Sequence, residues 1–347
     1  APATALWFVW AAACLLLARQ TMRVPAGILF PLSNAVCILR GASPSPAPAT
    51  AAMLRRSNTS PTSKQQGRSI WVDVAARYMR LTTYAVLAYV TYVVIPHPGL
   101  QAVEWRSGWV SLVLVRNLTL TLGIYAGWHH LLYESAATRL DKACKYSTSN
   151  LLADGTLDPT KGYDPARDRR LTFVGVLIAS AFECLMLHMW ATKSLPSYDN
   201  LSSRPQRSLL LLLVIPYWSD VHFFAIHRLI HPWRLPYGLP DPGHLLYRHV
   251  HSVHHKAYNP GPWSGLAMHP IEHALFFSSI LVPFQQHPLH LYVGLFYKLI
   301  APLAGHDGYE SPAGDGYFHF LHHKYFECNY GSPAVPLDML FGTLRQQ

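Results

Sequence analysis

The chain has 347 residues, enough for one large or two ordinary domains. Hydrophobic residues make up 50% and charged residues 13%, about half the roughly 25% charged content of soluble proteins, which points to a membrane protein. Net charge is +10, but the basic residues sit in loops between apolar runs, so the excess reads as the cytoplasmic side of a membrane protein rather than a nucleic-acid surface. The five cysteines are scattered without a C-x-x-C pair, so neither a disulfide frame nor a thiolate metal site is indicated.

Residues 1–40 form an apolar N-terminal part in which LWFVWAAACLLLA favours an anchor over a signal peptide, because Arg19 and Arg23 follow the run instead of preceding it. Pro, Ser, Ala and Thr dominate the following stretch, and 41–80 reads as a disordered linker. Uncharged or nearly uncharged runs at 81–103, 108–133 and 171–190 are long enough to cross a bilayer, which takes about 20 helical residues. They predict transmembrane helices and a polar loop over 81–207. Glu183 and His188 fall inside the third run, and Arg116 inside the second. His97-Pro98-Gly99 and His129-His130 carry no strong signal, since isolated histidines near a span end are usually interfacial. The run SLLLLLVIPYW leads directly into the first of a series of histidine groups. Residues 232–250 hold four prolines and read as a loop. Residues 274–297, interrupted by QQHP, read as a hairpin of two short helices. Such a hairpin returns its flanking histidines to one membrane face.

Sixteen of the 20 histidines fall between His222 and His323. Most of them, twelve in all, group as His222, His227 and His231; His251, His254 and His255; His269 and His273; His306; and His319, His322 and His323. Residues three and four apart share one face of a helix. Each group therefore becomes a set of imidazoles pointing one way, with His222 off the face. Imidazole is the commonest neutral metal ligand near pH 7. These sets are too many for one tetrahedral ion and suit two ions held close together. The ligand types fit iron, zinc or copper. H-E-x-x-H is absent, which argues against a zinc protease. No cysteine lies within the first three groups, which argues against a copper electron-transfer site. Redox iron is favoured, and a non-redox, multi-histidine zinc protein of the membrane is the alternative.

HRLIH, HSVHH and HFLHH resemble the three histidine boxes of the fatty acid hydroxylase / sterol desaturase superfamily. Asp220 and Phe223–Phe224 before the first box, HPIEH after the second, GHDGYESP before the third, and NYG and LDMLFGT near the end resemble that family as well. The resemblance covers about 208–345 and is similar in its last part to sterol methyl oxidases. It implies an all-α integral membrane helical bundle with a cytosolic-side histidine-box metal site, in the endoplasmic reticulum. It also implies a di-iron oxidase that uses O2 to hydroxylate or desaturate a lipid. Electrons would come from NAD(P)H through a separate carrier such as cytochrome b5. On this resemblance His227, His231, His251, His254, His255, His319, His322 and His323 are the catalytic ligands. His222, His269, His273 and His306 are further candidates. Glu272 and Asp307 would orient ligand imidazoles, and Trp218, Trp263 and Tyr330 would line the lipid path.

Overall fold

A computed structural model describes residues 70–134, 146, 161–198, 200–233, 239–281, 287–309 and 315–346. The expected N-terminal anchor, most of the linker and the basic residues Arg55, Arg56, Lys64 and Arg68 lie outside these. The described chain is all-α, as expected. Its helices are α1 (Ile70–Val94), α2 (Ser107–His129), α3 (Pro165–Ala191), α4 (Pro205–Leu229), α5 (Pro242–His249), α6 (Pro270–Phe277), α7 (Pro288–His306), α8 (Asp315–Tyr325) and α9 (Leu337–Leu340).

Three stretches, Ser107–Glu134, Pro165–Ala191 and Pro205–Leu229, are long and apolar enough to cross a membrane. Their outward faces carry exposed apolar side chains. On α4 these are Leu209, Leu210, Leu213, Val214, Tyr217 and Val221, the surface that a helix presents to lipid. Inside the bundle α2 and α3 are tied by charge. Arg116 pairs with Glu183, and Asn117 Nδ2 donates to both Glu183 Oε2 (2.8 Å) and Ser180 Oγ (3.1 Å). Charges at this depth persist because they are paired.

Two boundaries differ from the sequence expectation. α3 starts at Pro165, six residues before the apolar run. The Asp164 carboxylate accepts from the Ala166 and Arg167 amides at 3.0 Å, and Pro165 fills the first helical position. Capping, not hydropathy, sets the start. The 232–250 loop contains α5, opened by the same device: Asp241 accepts from His244 N and Pro242 follows it. The proposed hairpin of two short helices is replaced by unequal arms. Its first is α6 with a 3-10 turn over Ser278–Ile280. Its second is the 19-residue α7, whose N-terminus is capped by the His287 ring accepting from Leu289 N.

α7 is the central post. It packs against α1, α4, α8 and the Pro262–Leu266 turn. Gly265 permits the last contact, because a Cβ there would lie 2.7 Å from the Pro302 backbone. Tyr125 on α2 donates to Leu299 O (3.0 Å), fixing α7 against the spanning helices. The C-terminal ends of α2, α4 and α7 and the N-terminal end of α3 thus meet at one end of the bundle, and the histidine groups gather there.

Candidate metal centre

Nine histidines come together in two buried sets. His227, His231, His251, His255 and His322 form one, and His254, His306, His319 and His323 form the other. Within each set the ligand atoms lie within 4.8 Å of one another, and none of the nine side chains is more than 7% exposed. The shared site expected from spacing is therefore present, but each box does not point one way. The i, i+4 pairs stay together: His227 with His231, His251 with His255, His319 with His323. The remaining member of the second and third boxes crosses to the other set. His254 joins His319 and His323, while His322 joins His251 and His255. The second box is a 3-10 helix, His251–Lys256, so its members do not follow α-helical angles.

Protonation is set by what each outer ring nitrogen touches. His227 Nδ1 donates to Tyr330 O (2.6 Å), His322 Nδ1 to Cys328 O (2.6 Å) and His306 Nδ1 to Pro302 O (2.7 Å). His251 Nδ1 donates to Glu272 Oε1 at 2.7 Å. A ring that donates from Nδ1 keeps its lone pair on Nε2. The Nε2 lone pairs of His227 and His251 face each other at 3.1 Å, and His255 Nε2 lies 3.0 Å from His251 and 3.1 Å from His322 in the first set. In the second, His306 Nε2 lies 3.1 Å from both His254 and His323 and 3.0 Å from His319. Converging lone pairs repel unless a cation sits between them. Both ring nitrogens of His231 and the Nδ1 atoms of His255 and His323 have no hydrogen-bond partner among the described residues. Burial and the neighbouring rings push His231, His251, His254, His255, His319, His322 and His323 well below the ordinary imidazole range, so they are neutral at pH 7. The donor set fits two divalent ions.

The number of donors is also informative. Five imidazoles in the first set exceed a tetrahedral shell. A structural zinc site is tetrahedral.

Other expectations are corrected. His222 bonds Ser278 Oγ (3.0 Å), held outside the sets by its offset from His227. His269 caps α6, accepting from Ile271 N. His273 bonds Leu171 O (3.2 Å) and packs where a Cβ on Gly175 would stand 2.3 Å away. These three hold helices rather than a shared metal. His306, a second-rank candidate by sequence, lies at the heart of the second set. Glu272 orients a ligand, as expected. Asp307 instead meets Trp128 Nε1 (3.2 Å) and Tyr309 N (3.0 Å). Sequence reasoning missed the carbonyls of Tyr330 and Cys328. They are aimed by Asn329, whose left-handed backbone (φ 54°) is braced by bonds to Phe318 O and Arg345 O, and by Asp338, which accepts from Tyr330 N and Gly331 N. The NYG and LDMLFGT motifs thus form one clamp on His227.

A cavity of about 120 Å³ opens onto both sets. His227 and His251 from the first set and His254, His306 and His319 from the second line it, with Phe223, Met268, Phe276 and Phe318 as apolar walls. Trp218, Trp263 and Tyr330 are not among its lining residues. Trp218 instead donates to Ser279 O (3.3 Å), and Trp263 and Tyr330 are buried.

Residues 212–343 match the fatty acid hydroxylase family model. That region resembles a fatty acid hydroxylase domain. Relatives include a Delta(7)-sterol 5(6)-desaturase of Gibberella zeae, 32% identical over 148 residues that make up 37% of this chain and 39% of the relative. A Delta(7)-sterol 5(6)-desaturase of Leptosphaeria maculans is 32% identical over 150 residues, 39% and 37% of the two chains. Methylsterol monooxygenase 1 of Gallus gallus is 30% identical over 138 residues, 36% and 43%. The chain spans less than half the length of these relatives. No solved structure matches it.

Proposed function

We propose that this protein is a membrane-bound, O2-dependent oxidase that hydroxylates or desaturates a lipid, with two iron ions held by the nine histidines. The observation that carries the reading is the pair of buried histidine sets opening on one cavity with apolar walls. Iron, when bound, would supply the redox chemistry that activates O2. The protein's own residues do the rest. Glu272 and the carbonyls of Tyr330, Cys328 and Pro302 hold ligand rings in the tautomer that presents Nε2. Phe223, Met268, Phe276 and Phe318 exclude water and admit a hydrocarbon segment. The cavity is about the size of one that holds benzene, so it takes part of a lipid rather than a whole one. The five-imidazole set, one donor more than a tetrahedral structural zinc takes, favours this reading over the non-redox zinc protein.

The names of the relatives favour a sterol-like substrate. The metal end of the bundle carries Arg167, Arg169, Arg170, Arg228, Arg248, Lys256, Lys324 and Arg345, which supports a cytosolic orientation there, in the endoplasmic reticulum. A separate electron carrier such as cytochrome b5 would then reach the site from the side where NAD(P)H is available.

The test is lipid product formation by membranes expressing the protein, supplied with NAD(P)H, a carrier and its reductase. An oxidised or desaturated lipid that disappears when O2 or NAD(P)H is withheld is the expected result. Full metal occupancy with no such product across a sterol, fatty acyl, sphingoid and terpenoid panel would overturn the reading.

A further inference from the structure

One charged side chain in the cavity has no part in holding metal. Lys298 lies on α7, two turns before His306, or about 12 Å along the helix axis. It is 2% exposed and lines the same cavity as His254, His306 and His319. Its Nζ donates to Ser219 O (3.2 Å) and sits over the Phe276 ring, 4.1 Å from the centroid, with Phe223 at 5.8 Å. An ammonium has three N–H donors, and one is used. A buried cation with unfilled donors is costly unless something else meets it.

Its surroundings narrow what that is. Burial pushes the pKa of the Lys298 ammonium down to about 7, against the opposing pull of the Asp220 carboxylate. It is therefore an N–H donor at neutral pH whether charged or not. The two Asp220 oxygens accept from Tyr297 Oη (2.6 Å) and Ser332 Oγ (2.9 Å). The carboxylate balances the ammonium charge while its oxygens are held by hydroxyls. An anionic ligand group would face Asp220 as well as Lys298. A neutral oxygen would not be repelled, and it can accept the remaining N–H. The rest of the cavity is apolar up to the histidines.

We propose that Lys298 is the polar anchor of this cavity. It holds the hydroxyl or carbonyl oxygen of an otherwise apolar lipid and so fixes which carbon lies beside the two histidine sets. The inference deepens the lipid-oxidase reading and rests on it for the chemistry at the far end of the cavity. A substrate anchored here is oxidised at a carbon whose distance from its polar oxygen is set by the reach from Lys298 Nζ to the histidines across the cavity. Lys298 then selects the site of oxidation by reach.

The test compares matched lipids on purified full-length protein carrying its metals. Two radiolabelled pairs serve as probes: cholesterol with cholest-5-ene, and octadecanol with octadecane. Each pair differs by one hydroxyl. A hydrogen bond to a charged group leads to an expected preference of about ten- to a hundredfold for the hydroxylated member of at least one pair. Lys298→Met, close in volume, removes that preference and leaves binding of the deoxy member within about twofold. Lys298→Gln keeps a donor without charge and retains part of it. Metal content of each variant shows that the histidine sets have formed. If Lys298→Met does not fold, the wild-type preference and the Gln variant still decide. No hydroxyl preference in the wild type, or no binding of either pair, overturns the anchor. So does an unchanged preference in the Met or Gln variant. The same preparations are assayed for O2- and NAD(P)H-dependent product. Hydroxyl preference without product over the full lipid panel removes the oxidase reading and leaves the anchor. Product with the preference unchanged in the variants does the reverse.

Discussion

The two histidine sets are neighbours built on different principles. In the five-histidine set, three rings are fixed from outside, by Tyr330 O, Cys328 O and the Glu272 carboxylate. In the four-histidine set the described support is backbone only. His306 donates to Pro302 O, while the Nδ1 atoms of His254 and His323 have no hydrogen-bond partner among the described residues. A carboxylate behind a ligand raises its basicity and fixes its orientation. The first set has more ligands and firmer ones. The second contributes three of the five cavity-lining histidines. On the two-ion reading proposed above, the difference teaches that one set would retain its ion and the other present an ion to substrate.

The largest break in this comparison comes from removing a ligand of the weaker set. His254→Ala should lower metal content from about two ions per chain to about one. Turnover should fall by at least about 100-fold, the order expected when reacting groups are misplaced by even 1 Å. Wild-type turnover would sink the two-ion reading. Chelation sharpens the contrast without mutation. Against a slow chelator the first equivalent should leave about 10–100 times faster than the second, the range attributed to orienting partners. Release of both at one rate would make the sets equivalent. Glu272→Gln probes the firm set more gently and should cost about 10–100-fold in metal affinity or activity. Stepwise metal titration should place the loss on the slow equivalent, with His251 still neutral and bound. The smallest effect on turnover belongs to Asn329→Gly, which tolerates the positive φ but loses the bonds to Phe318 and Arg345. Stability should drop by about 1–3 kcal/mol and turnover only a few-fold, read by thermal unfolding and product assay together.

How much of this was visible in the sequence depends on whether a feature is local. The box histidines were legible because i, i+4 spacing survives any docking of the helices that bear it. Their division between two sets was not, since it depends on where the 3-10 turn of His251–Lys256 meets α8. His269 and His273 have the same spacing as true ligands, yet the first caps a helix and the second fills the space above Gly175. Only the packing separates such cases. The carbonyls of Cys328 and Tyr330 carry no side-chain signature, although NYG and LDMLFGT mark the clamp that aims them. Lys298 was silent because a single lysine in an apolar run does not reveal whether it faces water, lipid or a cavity. Three spanning helices were legible by hydropathy to within a few residues, but the run at 81–103 was not: its helix, α1, starts at Ile70 inside the stretch read as linker, ends at Val94 and is apolar only over Leu81–Val94. The start of α3 was not, because Asp164 and Pro165 extend it beyond the apolar run.

The sharing of the second and third boxes between the sets has a consequence for biogenesis. The five-member set needs His322 and the four-member set needs His319 and His323. All three lie on α8, nearly 90 residues or more after the first box. While the chain is being synthesised and inserted, neither ion has a finished berth until α8 has emerged and docked against α7. Before α8 docks, the first set has four of its five imidazoles and the second only two of its four. On the two-iron reading proposed above, the second shell is therefore completed last, by a chain whose membrane helices are already in place.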